Sequence, residues 1–273
     1  MRHETAVELA EAHGLPPPPP YEYSDLAGFL AVYRQVAAAM RTAADFERVI
    51  LEHAEVMAGQ GIAYAEISFN PSLHEGVAWL AGIEAGRERA RQDHGVDVAW
   101  LVELVRDESF ASNEQSLEIA LATAGVVGLG LVGDEAVSAE PLASFIDRAH
   151  AKGLRFMPHA GQVGGPDVVR EAVEELGADR IAHGVAAIAD PALLATLARR
   201  RLCLCVCPTS NARIGRRPNY RALAEAGIPI TVNSDDPAMV GTTLTHELEV
   251  AESELALDRA QLIANAWQFA FRA

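Results

Sequence analysis

From residue 61 onward the chain alternates between two hydrophobic patterns. Short runs that are almost continuously apolar and β-rich recur at 61–69, 97–105, 126–132, 154–159, 180–185, 202–207 and 228–234. Between them lie segments such as 141–152, 166–176 and 191–200, where apolar positions follow the 3.6-residue period of a helix. Runs apolar on both faces suit strands buried between layers, so the alternation predicts parallel strands joined by crossover helices. The most populated closed form of that alternation is the eight-stranded TIM-type (β/α) barrel. Seven strands are countable, so an α/β barrel short of one strand is expected. The first 60 residues carry no strand pattern. They read as a helix, a turn at Pro16–Pro20, and helices over Leu26–Met40 and Ala43–Ala58. The proline run is a stiff extended spacer. No internal repeat or boundary is visible, so one domain over residues 1–273 is expected.

Charge narrows the range of partners. With 22 Lys plus Arg against 38 Asp plus Glu, the formal charge is −16. Such a surface disfavours nucleic-acid backbones and anionic membranes. No apolar run approaches the roughly 20 residues of a membrane helix. The opening MRHETAVELAEAHG is an amphipathic helix pattern rather than a signal peptide. A cytoplasmic protein is expected. Cys203, Cys205 and Cys207 alternate along one apolar run, so they share a face and sit too far apart for easy pairing. They read as reduced core or pore-lining thiols, not as a metal site of their own.

Candidate chemistry gathers just after the strands. His159 ends one run in MPHAGQ, and His183 ends the next in RIAHGV. Pro208, Thr209, Ser210 and Asn211 follow the cysteine run, and Asp235 and Asp236 close the last in VNSDDP. In a (β/α) barrel the carboxyl ends of the strands converge on one mouth. Imidazole and carboxylate are natural ligands of Zn²⁺ or a similar ion. Neighbouring carboxylates on an extended segment point apart, so Asp235 and Asp236 should have different tasks. Each residue has a plainer reading: a lone His as a helix cap or core hydrogen-bonder, and SDDP as a turn and helix N-cap. Four consecutive strands ending this way favour a metal-dependent or acid–base enzyme. The remaining histidines carry less: His3, His13, His53, His94, His150 and His246 read as solvated, and His74 as a residue of the rim.

The order GLGLVGDE, PHAGQ, RIAHG, CPTSN and VNSDDP resembles the adenosine deaminase family, which includes adenosine, adenine and aminodeoxyfutalosine deaminases. YAEISFNPSLH and DLAGFL fit the same pattern, so the likeness covers essentially the whole chain. It implies a barrel of the metal-dependent hydrolase type that deaminates a small purine or aminopurine nucleoside in the cytoplasm, and it allows a homo-oligomer. By the same resemblance His159 and Asp235 are metal ligands, for Zn²⁺ or a similar divalent ion. His183 helps take a proton from water, Asp236 hydrogen-bonds a purine ring nitrogen, and the backbone at Gly133 meets the base.

Two departures from the family pattern bear on activity. The family begins with a strand ending in His-x-His, and no His-x-His occurs in this chain. The first strand and two ligands are therefore expected to be missing. Two ligands would hold Zn²⁺ weakly, because catalytic zinc keeps at least three protein ligands. An unclosed barrel exposes two sheet edges, to be covered by the N-terminal helices, another chain or nothing. The second departure is Gln162, which stands where the family has a proton-donating Glu and has no proton to deliver. The segment 211–220 and the C-terminus are also shorter than the pattern. The alternative to a deaminase is thus a catalytically impaired purine-binding relative.

Overall fold

The computed structural model describes residues 1–272. Three helices open the chain: α1 (His3–Ala12), α2 (Leu26–Ala38) and α3 (Ala43–Gly59). Then β1 (Tyr64–Phe69), β2 (Asp97–Val105), β3 (Val126–Val132), β4 (Arg155–Ala160), β5 (Arg180–His183), β6 (Cys203–Val206) and β7 (Ile230–Val232) alternate with helices. All neighbours pair in parallel, and the sheet order is the sequence order. The seven expected strands are all present; β2 and β3 keep their expected bounds, β4 is shifted by one residue, and the other four are shorter.

Helix starts follow local chemistry. Thr42 and Asp45 form a reciprocal capping box at the start of α3. Proline occupies the first turn of α7 (Pro166–Glu174), α8 (Pro191–Arg200), α9 (Pro208–Arg213) and α11 (Pro237–Val240), where its missing N–H costs nothing. Asp190 caps α8 by accepting from the N–H groups of Ala192 and Leu193.

Strand alternation then sorts the side chains. Val102, Leu104, Leu129, Leu131, Phe156, Leu204 and Val206 face outward and pack on Leu117, Phe145, Val169 and Leu197 of the surrounding helices. A second core of Phe46, Trp79, Ile83 and Trp100 joins α3 and α4 (Leu80–His94) to β2. Gly82 lets those two helices touch, since a Cβ there would lie 1.9 Å from the Ala43 carbonyl oxygen. The inward positions are more polar. Toward the floor of the half-barrel, Arg180 pairs with Glu66 and stacks over Phe271, its guanidinium carbon 3.7 Å from the ring centroid. The three cysteines are buried and unbridged, as their alternation implied.

Among the described residues β7 and β1 do not pair, so the sheet is open between them. The C-terminal segment, rather than the N-terminal helices, covers this region. Asn265 of α13 (Arg259–Phe269) donates to the edge carbonyl of Ile230 at 2.8 Å, and Tyr64 donates to the Phe271 carbonyl at 2.8 Å. The N-terminal helices instead pack near the mouth, where Ala6, Val32 and Val36 meet Met239.

Several histidines differ from the solvated reading. His13 pairs with Asp45 at 2.8 Å and His150 with Asp179 at 3.1 Å. His53 is half-buried, and desolvation lowers its pKa to about 4. His74, after the carboxyl end of β1, lies against Phe46 and Trp79 of the α3–α4 core. No helix among the described residues is long and apolar enough to cross a membrane.

Candidate active site

His159, His183 and Asp235 stand at the carboxyl ends of β4, β5 and β7, and the fold brings them together. One potential ligand atom from each lies within 4.8 Å of the others. The two imidazole rings are 5.3 Å apart, and His183 Nε2 is 4.0 Å from Asp235 Oδ2. Ser210 orients that carboxylate by donating to Oδ2 at 2.6 Å. Both His183 and Asp235 have left-handed backbones, with φ of 64° and 56°. Non-glycine residues hold this conformation at a cost of about 1–3 kcal/mol, and such strain clusters at functional sites. Burial lowers the His183 pKa to about 4, with Asp235 opposing, so the ring is neutral at neutral pH.

The pleat expected to set Asp235 and Asp236 apart does not reach them. The strand ends at Val232, so both aspartates lie beyond the pleat. Asp235 has a left-handed backbone, and Asp236 is the residue before α11. Burial and the neighbouring Asp235 push the Asp236 carboxyl up to about 7. Gly133 has φ of 99°, and a Cβ there would lie 2.3 Å from Asp107 Oδ1, so glycine is required.

Gln162 sits in the loop after β4 and donates to Asn211 Oδ1 at 3.3 Å. Asn211, fully buried in α9, donates in turn to the Tyr220 hydroxyl at 2.8 Å. The loop itself hangs on Glu135. That carboxylate accepts from the backbone N–H of Gly161 at 3.0 Å, Gln162 at 3.1 Å, Val163 at 3.3 Å and Gly164 at 2.6 Å.

Sequence reasoning gave no role to the charges that hold this arrangement from behind. Glu135 lay inside a quoted motif, GLGLVGDE, without a task. Arg106, with no side-chain exposure, donates to the His159 carbonyl at 3.2 Å and pairs with Glu171 at 3.0 Å. Glu103 points inward from β2, is 3% exposed, and neither carboxylate oxygen has a hydrogen-bond partner. Burial raises its pKa to about 6, partly offset by nearby His159 and Ser68. It lies over Gly130 of β3, where a Cβ would approach Oε2 to 2.2 Å. A charged residue within an apolar strand run was the available signal for Glu103.

The donor set fits a divalent ion. The imidazole of His159 and the carboxylate of Asp235 are zinc donors, the neutral His183 stands beside them, and Nδ1 of both His159 and His183 is buried without a partner in the protein. Polar nitrogens left so are costly unless something satisfies them.

The sequence profile of the adenosine deaminase family matches residues 20–272. The chain belongs to the adenosine deaminase family. An aminodeoxyfutalosine deaminase of Streptomyces coelicolor is 38% identical, over 89% of this chain and 66% of its own length. An adenine deaminase of Rhodospirillum rubrum is 35% identical, over 96% of this chain and 84% of its own. The chain thus spans just under two thirds of the first relative and more of the second. Among solved structures, an adenine deaminase from Arthrobacter aurescens superposes with a TM-score of 0.93 at 27% identity, covering 100% of this chain and 90% of that one.

Proposed function

We propose that the chain catalyses hydrolytic deamination of a purine or aminopurine nucleoside, with His159 and Asp235 holding a divalent ion such as Zn²⁺. The observation that carries this reading is the convergence of His159, His183 and Asp235 to within 4.8 Å at one barrel mouth. When bound, such an ion supplies Lewis acidity of the kind that brings the pKa of water to about 7. His183, kept neutral by burial, would accept a proton from the attacking water. Asp236 would hydrogen-bond a ring nitrogen, and the Gly133 backbone would meet the base. Gln162 would orient the ring through its amide but has no proton to give.

That last residue favours a second reading, a purine-binding relative with weak turnover. Both readings meet one experiment. The chain is loaded with Zn²⁺, its metal is counted by elemental mass spectrometry, and ammonia release is followed on adenosine, adenine and aminodeoxyfutalosine. Release from any of the three at stoichiometric metal supports the deaminase. Bound metal and bound purine without ammonia leave the binding protein; absence of purine binding overturns both.

A further inference from the structure

Beside the mouth, a cleft of about 300 Å³ extends from Gln162. One wall is the Gly161–Gly164 loop after β4, and the other is formed by Arg216, Arg217 and Pro218 after α9. None of its lining residues is acidic, in a chain of formal charge −16. Elsewhere the arginines are commonly tied to carboxylates, as Arg48, Arg89, Arg148, Arg170 and Arg221 are. The cleft arginines differ. Arg216 commits one N–H to the Val163 carbonyl at 3.0 Å, which fixes its guanidinium across the cleft and leaves its other donors free. Arg217 makes no ion pair or side-chain hydrogen bond among the described residues.

The nearest acid on the facing wall is Glu135, and its carboxylate is already matched to four backbone N–H groups of residues 161–164. Those amides are therefore closed to an outside anion, while the two guanidinium groups are open to one. A guanidinium presents a planar fork of donors that fits a phosphate or a carboxylate alike. The volume lies at the small end of ligand sites, enough for a sugar and one charged group. Gln162 lines the cleft and donates to Asn211, which stands beside His183, so a ligand whose base rests at Gln162 would send its far end between the arginines.

We infer that this cleft receives an anionic substituent, phosphate or carboxylate, carried by the purine ligand, and that Arg216 and Arg217 select for it. The inference rests on the purine reading above. The test is isothermal titration of the full chain with adenosine, adenosine 5′-monophosphate and adenosine-5′-carboxylate, which requires no turnover. At least one anionic ligand should bind more tightly than adenosine by about tenfold, the worth of one charge-assisted hydrogen bond. A gain with only one of them identifies the group as phosphate or as carboxylate. In R216A/R217A, whose substitutions lie on the exposed surface, the ratio of anionic to neutral affinity should fall to about one. High salt should shrink the same ratio in the unmodified chain. Adenosine binding with no preference for either anion overturns this inference alone, as does a preference that survives R216A/R217A. A chain that binds none of the three purines overturns the purine reading and this inference with it.

Discussion

Replacing Glu103 by glutamine removes a charge from the barrel interior while nearly keeping the shape of the side chain. Glu103 is 3% exposed, neither oxygen has a hydrogen-bond partner, and burial raises its pKa from 4.5 to about 6. Each pH unit by which a pKa moves is worth about 1.4 kcal/mol, so the ionised form costs about 2 kcal/mol of folding stability. The sign follows from the folded value lying above the unfolded one. Below about pH 4.5 both states are protonated and the cost vanishes; above about pH 6 both are ionised and the cost is complete. Stability contributed by this group is therefore lost as pH rises. Packing differences between Glu and Gln do not depend on pH, so they cancel when the two proteins are compared across a titration. The stability of Glu103→Gln minus that of the parent should rise by about 2 kcal/mol between about pH 4 and about pH 7.5. Urea unfolding followed by far-ultraviolet circular dichroism, with a chelator present, measures it. A flat difference would mean that Glu103 is solvated or paired. A falling one would mean that nearby cations stabilise the carboxylate, and either result refutes the reasoning.

Four further substitutions probe the mouth. Gln162→Glu should raise the deamination rate by at least ~10², the low end for a positioned general acid; a parent chain already turning over at about 10 s⁻¹ would show that another group donates the proton. Asp235→Asn should strip bound Zn²⁺, whereas Asp236→Asn should keep the metal and weaken purine turnover, as read by elemental analysis beside kinetics; equal metal loss in both would overturn the division of roles. Arg106→Met removes the ion-pair partner of Glu171, which keeps its bonds from Ser138 and the Ala139 N–H, and frees the His159 carbonyl. It should cost about 1–3 kcal/mol in urea unfolding and weaken Zn²⁺ binding, and a neutral effect on both would exclude Arg106 as the support of His159.

The strands, the helix starts and the strand-end polar residues were readable along the chain because their causes are local. A run apolar on both faces needs only its own residues to declare a buried strand, and Pro191 or Thr42 marks a helix start within one turn. His159, His183 and Asp235 could be grouped in advance for the same reason: parallel strands in sequence order send their ends to one side. That Gln162 stands where a carboxyl was expected came from the resemblance to the family, not from a local pattern.

Other features depend on residues far apart in the chain, and no local pattern encodes them. Arg180 meets Glu66 across 114 positions, and Arg106 reaches the His159 carbonyl across 53. The C-terminal Asn265 satisfies the open edge of β7, which no spacing announced. The left-handed backbone of Asp235, beyond the end of β7, has no local signal in SDDP. The polar groups nearest the buried Glu103, Ser68 and His159, come from β1 and β4, far from it in sequence. Periodicity reports which face a residue takes, whereas desolvation and pairing are set by whatever distant chain arrives on that face.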